Sequence, residues 1–81
     1  MNNRIRIYCN GSDIVLAIDK ITSMILRKET ADGGIEYHTL DIRTVSNQII
    51  SLHSDPRYQD CDNYSTAPVL WSIHNQFANG E

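Results

Sequence analysis

The sequence predicts an α+β domain, in which a five-stranded antiparallel meander sheet is followed by one C-terminal helix packed on one face. Five segments between positions 4 and 54 alternate apolar and polar residues, and short turn-forming sequences separate them. One later stretch repeats apolar residues at helical spacing. The 81 residues allow a single domain over 1–81, with the sheet at about 4–54, a loop at 55–67 and the helix at about 67–78.

The first two strands form the most clearly marked hairpin. Residues 4–9 alternate, and Asn10-Gly11 follows them, a dipeptide in which both residues tolerate positive φ. A two-residue turn there pairs Ile7 with Ile14, and the next pair along the ladder is again apolar. The sequence therefore predicts that this hairpin presents one apolar face.

The third strand is predicted to return beside the second. A turn at Asp19-Lys20 pairs Ile18 with Ile21, and the same register places Ile25 on the core face. The fourth strand follows the glycine-containing loop at 31–34 and is predicted to set Leu40 opposite Ile25. The predicted core face of the sheet consists of Ile5, Ile7, Ile14, Leu16, Ile18, Ile21, Ile25, Leu40, Ile42, Ile50 and Leu52.

The last turn of the sheet permits two registers. A two-residue loop would pair His38 with His53, whereas a three-residue loop pairs Leu40 with Leu52. A slip of one residue turns a whole strand over, so burial of the leucines favours the three-residue loop. Asn47 supports this choice, because asparagine tolerates the left-handed conformation that such loops need.

The alternation stops after the fifth strand. Segment 55–67 is polar and long for a compact domain, which is typical of a functional or mobile loop. Ser65 or Thr66 is expected to cap the helix, with Pro68 in its first turn and Gly80 just past its end. The apolar stripe of the helix consists of Leu70, Ile73 and Phe77.

Composition and charge exclude several classes of protein. Of the 81 residues, 41% are apolar and 21% are charged, and the net charge is −3, which is typical neither of a disordered chain nor of a basic nucleic-acid binder. No apolar run is long enough for a signal peptide or a membrane span. We therefore expect a cytoplasmic protein with reduced cysteines, no membrane association and no nucleic-acid partner.

A small metal- or thiol-dependent enzyme is the alternative interpretation. It would have to combine Cys9 or Cys61 with His38, His53 and His74, which are the only residues of these two types. No two histidines have the spacing of zinc ligands, and the pattern shows no third group that would orient a cysteine–histidine pair. The sequence therefore predicts no catalytic residue, no metal site and no cofactor.

The face of the sheet opposite the core is more apolar than a fully solvated face would be. Two interpretations fit this observation: scattered surface residues, or a contact patch bordered by arginines. Trp71 either closes the open end of the sheet or anchors a partner, and the 55–67 loop is a second contact candidate. The residues predicted to bind a partner are Tyr8, Val15, Met24, Leu26, Tyr37 and Trp71.

Segments 13–26, 37–42, 48–52 and 70–77 resemble short phage, prophage and bacterial proteins that join a β-meander to one C-terminal helix, similar to a reduced pleckstrin-homology-like unit. This resemblance implies a binding module, and phage proteins of this size and acidity include inhibitors of host defence such as anti-CRISPR proteins. The predicted function is therefore a non-catalytic protein-binding module, encoded by a phage or mobile element, that inhibits a host protein. A homodimer would cover the part of the sheet that one short helix leaves open.

Overall fold

Five antiparallel strands and one helix make up the fold of the computed structural model, which describes residues 4–79 apart from the side chain of Ser12. The α+β class and the C-terminal helix are therefore confirmed, and Gly80 lies outside the described residues. The elements are β1 (Arg4–Cys9), β2 (Ser12–Ala17), β3 (Ile21–Thr30), β4 (Glu36–Thr44), β5 (Ile49–His53) and α1 (Ala67–Ala78).

The single five-stranded meander is wrong, because β2 and β3 do not pair. The strands form a two-stranded sheet, β1–β2, and a three-stranded sheet, β3–β4–β5. Ile18–Lys20 forms one 3-10 turn instead of the tight two-residue hairpin turn that the sequence predicts at Asp19-Lys20. The Lys20 carbonyl instead accepts a hydrogen bond from the Val45 N–H (2.9 Å), which ties the turn to the β4–β5 loop.

The β1–β2 hairpin has the predicted register. Ile5 pairs with Leu16 and Ile7 pairs with Ile14 across the turn that starts at Asn10. Ile5 and Ile7 are fully buried, while Ile14 and Leu16 pack against the core from the edge. The apolar face expected of this hairpin is therefore present.

A β-bulge at the start of β3 changes which residues of that strand face the core. The register shifts between Ile21 and Ser23, so that Thr22 is the extra residue. Ile21 and Met24 are consequently both buried, although they are three positions apart. The Thr22 hydroxyl donates to the carbonyl of Arg43 (3.1 Å), which holds the bulge against β4.

The predicted faces of β3 beyond the bulge are therefore wrong. Leu40 lies opposite Leu26, and Ile25 lies opposite Asp41. Met24 is 7% exposed and belongs to the core, whereas Ile25, expected inside, is 53% exposed. Because side chains alternate with a period of two, one inserted residue turns over the rest of the strand.

The β4–β5 hairpin confirms the three-residue loop. Leu40 pairs with Leu52, and Thr39 pairs with His53. Asn47 has a φ of 66°, the left-handed conformation expected from its position in the loop. The prediction holds here because the loop chemistry and the burial of the leucines favour the same register.

Helix α1 packs against the apolar faces of both sheets and completes the core. Leu70 and Ile73 are buried, and Phe77 packs against the core from the helix side. Thr66 is the N-cap residue but makes no side-chain capping bond. The buried apolar residues of the described chain are Ile5, Ile7, Ile21, Met24, Leu40, Ile42, Leu52, Leu70 and Ile73.

The polar segment before the helix joins the two sheets to each other. Toward β5, Asn63 accepts from the His53 N–H (3.1 Å), and Ser65 donates to the His53 carbonyl (2.8 Å). Toward β1, the Asn10 N–H donates to Tyr64 (3.1 Å), and the Ser65 hydroxyl donates to the Tyr8 carbonyl (3.0 Å). This segment therefore satisfies main-chain groups that β1 and β5 would otherwise leave without a neighbouring strand.

Candidate functional site

The face of the three-stranded sheet that points away from the core and α1 is termed the outer face. It is built by alternation: Leu40 and Ile42 of β4 point into the core, so the residues between them point outward. Beyond the bulge the same holds for β3, where Ile25 points outward. The outer face consists of Ile25, Arg27, Glu29, Tyr37, Thr39, Asp41, Arg43, Ile49, Ser51 and His53.

One end of the outer face is apolar and exposed. Ile25 is 53% exposed and Ile49 is 57% exposed, and they lie on either side of β4. Val45, in the adjoining loop, is exposed as well. Asp41 and Arg43 of β4 lie between the two isoleucines, so apolar side chains are exposed on both sides of a charged strand. Several exposed apolar side chains at one end of a sheet face make it a candidate contact surface.

A polar groove with a volume of about 290 Å³ lies next to this apolar end. The end of β5 and the loop that follows it contribute residues to the groove, so it is formed by the sheet and the loop together. Its lining includes two aromatic rings and several hydrogen-bonding side chains: Tyr37, Tyr58, Thr39, Asp41, Ser51 and His53.

The charges in the groove neutralise each other. The Arg27 guanidinium donates to Asp41 Oδ2 (2.9 Å), and Arg27 Nε lies 3.9 Å from Glu29. The Ser51 hydroxyl donates to Asp41 Oδ1 (3.0 Å). The side chains of Arg27, Asp41 and Ser51 therefore form one hydrogen-bonded group in the groove.

Thr39 contributes a hydroxyl that has no hydrogen-bond partner among the described residues. Its Oγ1 atom is buried and lies in the groove wall. A buried polar group without a partner costs about 1–3 kcal/mol, so such groups are rare in folded proteins. The atom itself has no exposed surface, so a molecule in the groove would reach this hydroxyl only after the side chains around it moved.

The loop end of the groove is fixed by an ion pair between the buried carboxylate of Asp55 and the exposed guanidinium of Arg57. Asp55 is 4% exposed, and Arg57 donates to its carboxylate through Nη2 (2.8 Å), Nε (3.1 Å) and the main-chain N–H (3.0 Å). These hydrogen bonds hold the pKa of Asp55 below its usual value and raise the pKa of Arg57. The Asp55 N–H also donates to His53 Nδ1 (3.1 Å).

Two of the predicted binding residues are in the core and not on a surface. Met24 is buried, and Leu26 is half-buried and packs against the core, because the bulge turns this part of β3 over. The expectation that they face outward is therefore corrected. Ile25, between them, takes the outward position.

The other four predicted residues do not form one surface. Tyr8 and Val15 are exposed on the β1–β2 sheet, and the Arg6 guanidinium lies 5.8 Å from the centre of the Tyr8 ring. Trp71 is exposed on α1, where its ring meets His38 edge-on with centroids 6.0 Å apart, so it does not close the core. Tyr37 alone lines the groove of the outer face.

Sequence reasoning missed several residues of the outer face. The bulge turns Ile25 outward, and the sequence carries one signal of it: unbroken alternation from Ile21 would place polar Ser23 in the core, whereas the bulge places Met24 there. Asp41 and Ser51 could have been found, because the three-residue loop already places them opposite each other. Tyr58 enters the groove from the turn at Pro56–Tyr58, whose start is marked by Asp55 as the cap and Pro56 in the first position.

The residues of the alternative enzyme do not come together. Cys9 is half-buried and Cys61 is exposed, and both are free thiols. Cys9 lines a separate groove with Tyr64 and Ser65, and no histidine is part of that lining. Within residues 4–79 no three His, Cys, Asp or Glu side chains are grouped so that they could hold a metal ion.

No protein-family model, curated protein or solved structure matches this chain. In the described part of the chain, α1 is too short to cross a bilayer, and no other helix reaches the length and hydropathy required.

Proposed function

We propose that this chain is a non-catalytic protein-binding module that contacts its partner through the outer face. The observation that carries the proposal is the position of Ile25 and Ile49, both more than half exposed, beside a preformed polar groove. Helix α1 packs on the opposite side of this sheet, so it leaves both isoleucines in solvent. Apolar residues next to tyrosine and arginine are the composition that protein interfaces favour.

The charge of the groove favours a protein over a nucleic acid. Arg27 is already paired with Asp41 and lies near Glu29, so a phosphate would meet carboxylates together with the guanidinium. The net charge of −3 also repels a polyanion such as a nucleic acid. A protein surface has no such penalty, because it can present neutral and apolar groups.

The two parts of the outer face specify what a partner must present. An apolar side chain would cover Ile25 and Ile49, and a neutral hydrogen-bonding side chain in the groove would pair with the Thr39 hydroxyl once the side chains around it have moved. The rings of Tyr37 and Tyr58 would pack against the stem of that side chain. The apolar contact supplies most of the affinity in this arrangement, and the groove supplies specificity.

A narrower form of the proposal is a phage- or mobile-element-encoded inhibitor of a host protein, of the anti-CRISPR or another anti-defence class. It is supported by the small size, the negative charge and the arrangement of strands before one C-terminal helix. An inhibitor of this kind acts by occupying a surface that its target needs, for which a contact face without catalytic groups is sufficient.

Site-specific photo-crosslinking in the source cell tests the proposal. A benzophenone amino acid in place of Ile49 should give an adduct with another protein on illumination, because this position would be covered by the partner. The same amino acid in place of Val15 is the matched control, since Val15 is 56% exposed but lies on the other sheet. Equal adducts at both positions, or adducts at Val15 alone, would contradict the assignment to the outer face.

A further inference from the structure

Strand β3 has β4 on one side and an open edge on the other. It is the longest strand of the fold, at 10 residues. Between Met24 and Lys28, no described residue outside the β3–β4 ladder hydrogen-bonds to its main chain. An open edge of this length is a template for another extended strand.

The hydrogen-bond phase shows which main-chain groups face that edge. The Ala31 N–H donates to the Ile35 carbonyl (2.7 Å), so odd-numbered residues of β3 beyond the bulge bond to β4. The β4–β5 pairing has the matching phase, because the Thr44 N–H donates to Gln48 (2.9 Å). The N–H and C=O groups of Met24, Leu26 and Lys28 therefore point to the open edge.

We infer that the open edge of β3 pairs antiparallel with β3 of a second copy, with the two-fold axis at Ile25. In this register Met24 bonds to Leu26 of the second copy, and Leu26 bonds to its Met24. Ile25 then lies beside Ile25 of the second copy. The two three-stranded sheets become one continuous six-stranded sheet.

The sequence of β3 is self-complementary in this register. The central positions are all apolar, and the exposed Ile25 gains an apolar neighbour. Arg27 falls opposite Ser23, so no like charges face each other directly. A two-fold axis at Lys28 would instead set two lysines side by side, which disfavours that register.

The inference concerns the edge of the sheet, but it shares Ile25 with the proposed function, so self-association is measured apart from binding of another protein. The mutant test places a charge at the two-fold axis. Ile25→Lys should weaken self-association at least about tenfold in sedimentation equilibrium at low salt, since it sets two ammonium groups against each other. Ile49→Lys is the matched control, because Ile49 has nearly the same exposure but lies on β5, and it should dimerise as the unmodified chain does.

A pair of variants with opposite charges at position 25 gives a second test of the dimer. Ile25→Asp should also be monomeric, and mixing it with Ile25→Lys should restore a dimer that contains one copy of each. Circular dichroism checks that each variant keeps its fold. A mixture that stays monomeric would overturn the proposed β3–β3 interface. So would an Ile49→Lys chain that dissociates as readily as Ile25→Lys.

Amide hydrogen exchange of the unmodified chain tests the same β3–β3 interface without a mutation. The N–H groups of Ile25 and Arg27 should be protected at every concentration, because they bond to β4. The N–H groups of Met24 and Leu26 should gain protection only as the concentration rises and dimers form. A chain that sediments as a monomer up to about 100 μM, well above typical specific affinities, with these two amides exchanging freely, would refute the inference.

Discussion

Asp55 and Thr39 are both polar residues of the groove, but their surroundings differ. The Asp55 carboxylate receives three hydrogen bonds from Arg57, two of them from the guanidinium, and this pairing stabilises the turn that begins there. Thr39 keeps a buried hydroxyl without a partner. We interpret the first as a structural residue and the second as a contact residue, because only the second has hydrogen-bonding capacity left for a bound molecule.

The structural role of Asp55 gives an acid dependence of stability. The pKa of Asp55 is lowered in the folded state, chiefly by the hydrogen bonds from the Arg57 side chain, so its contribution is complete above the ordinary carboxyl value near 4. That contribution is lost as the pH falls through the lower folded-state value. Asp55→Asn should therefore lose less stability than the unmodified chain between about pH 5 and pH 2.

Urea unfolding across that pH range provides the measurement. Asp32→Asn is the control, since Asp32 is an exposed carboxylate in the turn between β3 and β4. The Asp32→Asn chain should lose free energy of unfolding in acid as steeply as the unmodified chain does. If Asp55→Asn were as acid-sensitive as the Asp32→Asn control, the ion pair with Arg57 would not stabilise the folded state.

Single residues could be predicted from the sequence where local chemistry determines their conformation. Asn47 was assigned to a left-handed position, and its φ is 66°. The Asp55–Arg57 pair was not predicted, although the two residues are only two positions apart and Asp55-Pro56 is a typical start for such a turn. Tyr37 was assigned to a contact surface, and it does line the groove. The sequence does not reveal that Thr39 beside it lacks a partner.

At the scale of elements, the sequence predicts the registers of the first and last hairpins correctly. Both hairpins contain an asparagine in the turn, Asn10 in the first and Asn47 in the last, but only Asn47 has a positive φ, so positive φ does not separate them from the failed pairing. The failed pairing was placed at Asp19-Lys20, which forms a 3-10 turn. The chain leaves β2 through this turn and starts a second sheet.

The bulge at Thr22 predicts that two neighbouring residues of β3, Met24 and Ile25, contribute very differently to stability. Met24→Ala should lower the free energy of unfolding by about 2–5 kcal/mol, because it leaves a cavity in the core. Ile25→Ala should cost less than about 1 kcal/mol, because Ile25 is exposed on the outer face. The two midpoints in denaturant should be compared below the concentration at which the chain self-associates. The opposite order would show that β3 has no bulge and the alternation continues unbroken.

At the scale of the whole molecule, the division into two sheets explains why a face remains uncovered. The core that α1 completes includes Ile5 and Ile7 of the β1–β2 sheet and Leu40 and Leu52 of the other. A helix of 12 residues fills the space on this side and reaches nothing on the outer face. The molecule is elongated, at 43 × 23 × 21 Å, so surface is large relative to core.

This division could not be predicted from the alternation of apolar residues. The predicted meander and the observed pair of sheets bury nearly the same residues of β1, β2, β4 and β5. The difference depends on segment 59–65, which joins β1 to β5 through main-chain hydrogen bonds. Such bonds have no side-chain pattern, which is why a polar connector was predicted only as a loop.

The most direct test of the outer face as a binding surface is the affinity of two aspartate variants for the partner recovered by crosslinking. Ile49→Asp should weaken binding by at least about 1.4 kcal/mol, or tenfold, because a partner would have to desolvate an unpaired carboxylate. Val15→Asp, with nearly the same exposure on the other sheet, should bind as the unmodified chain does. Unchanged affinity of a folded Ile49→Asp chain, or an equal loss in Val15→Asp, would contradict the proposal.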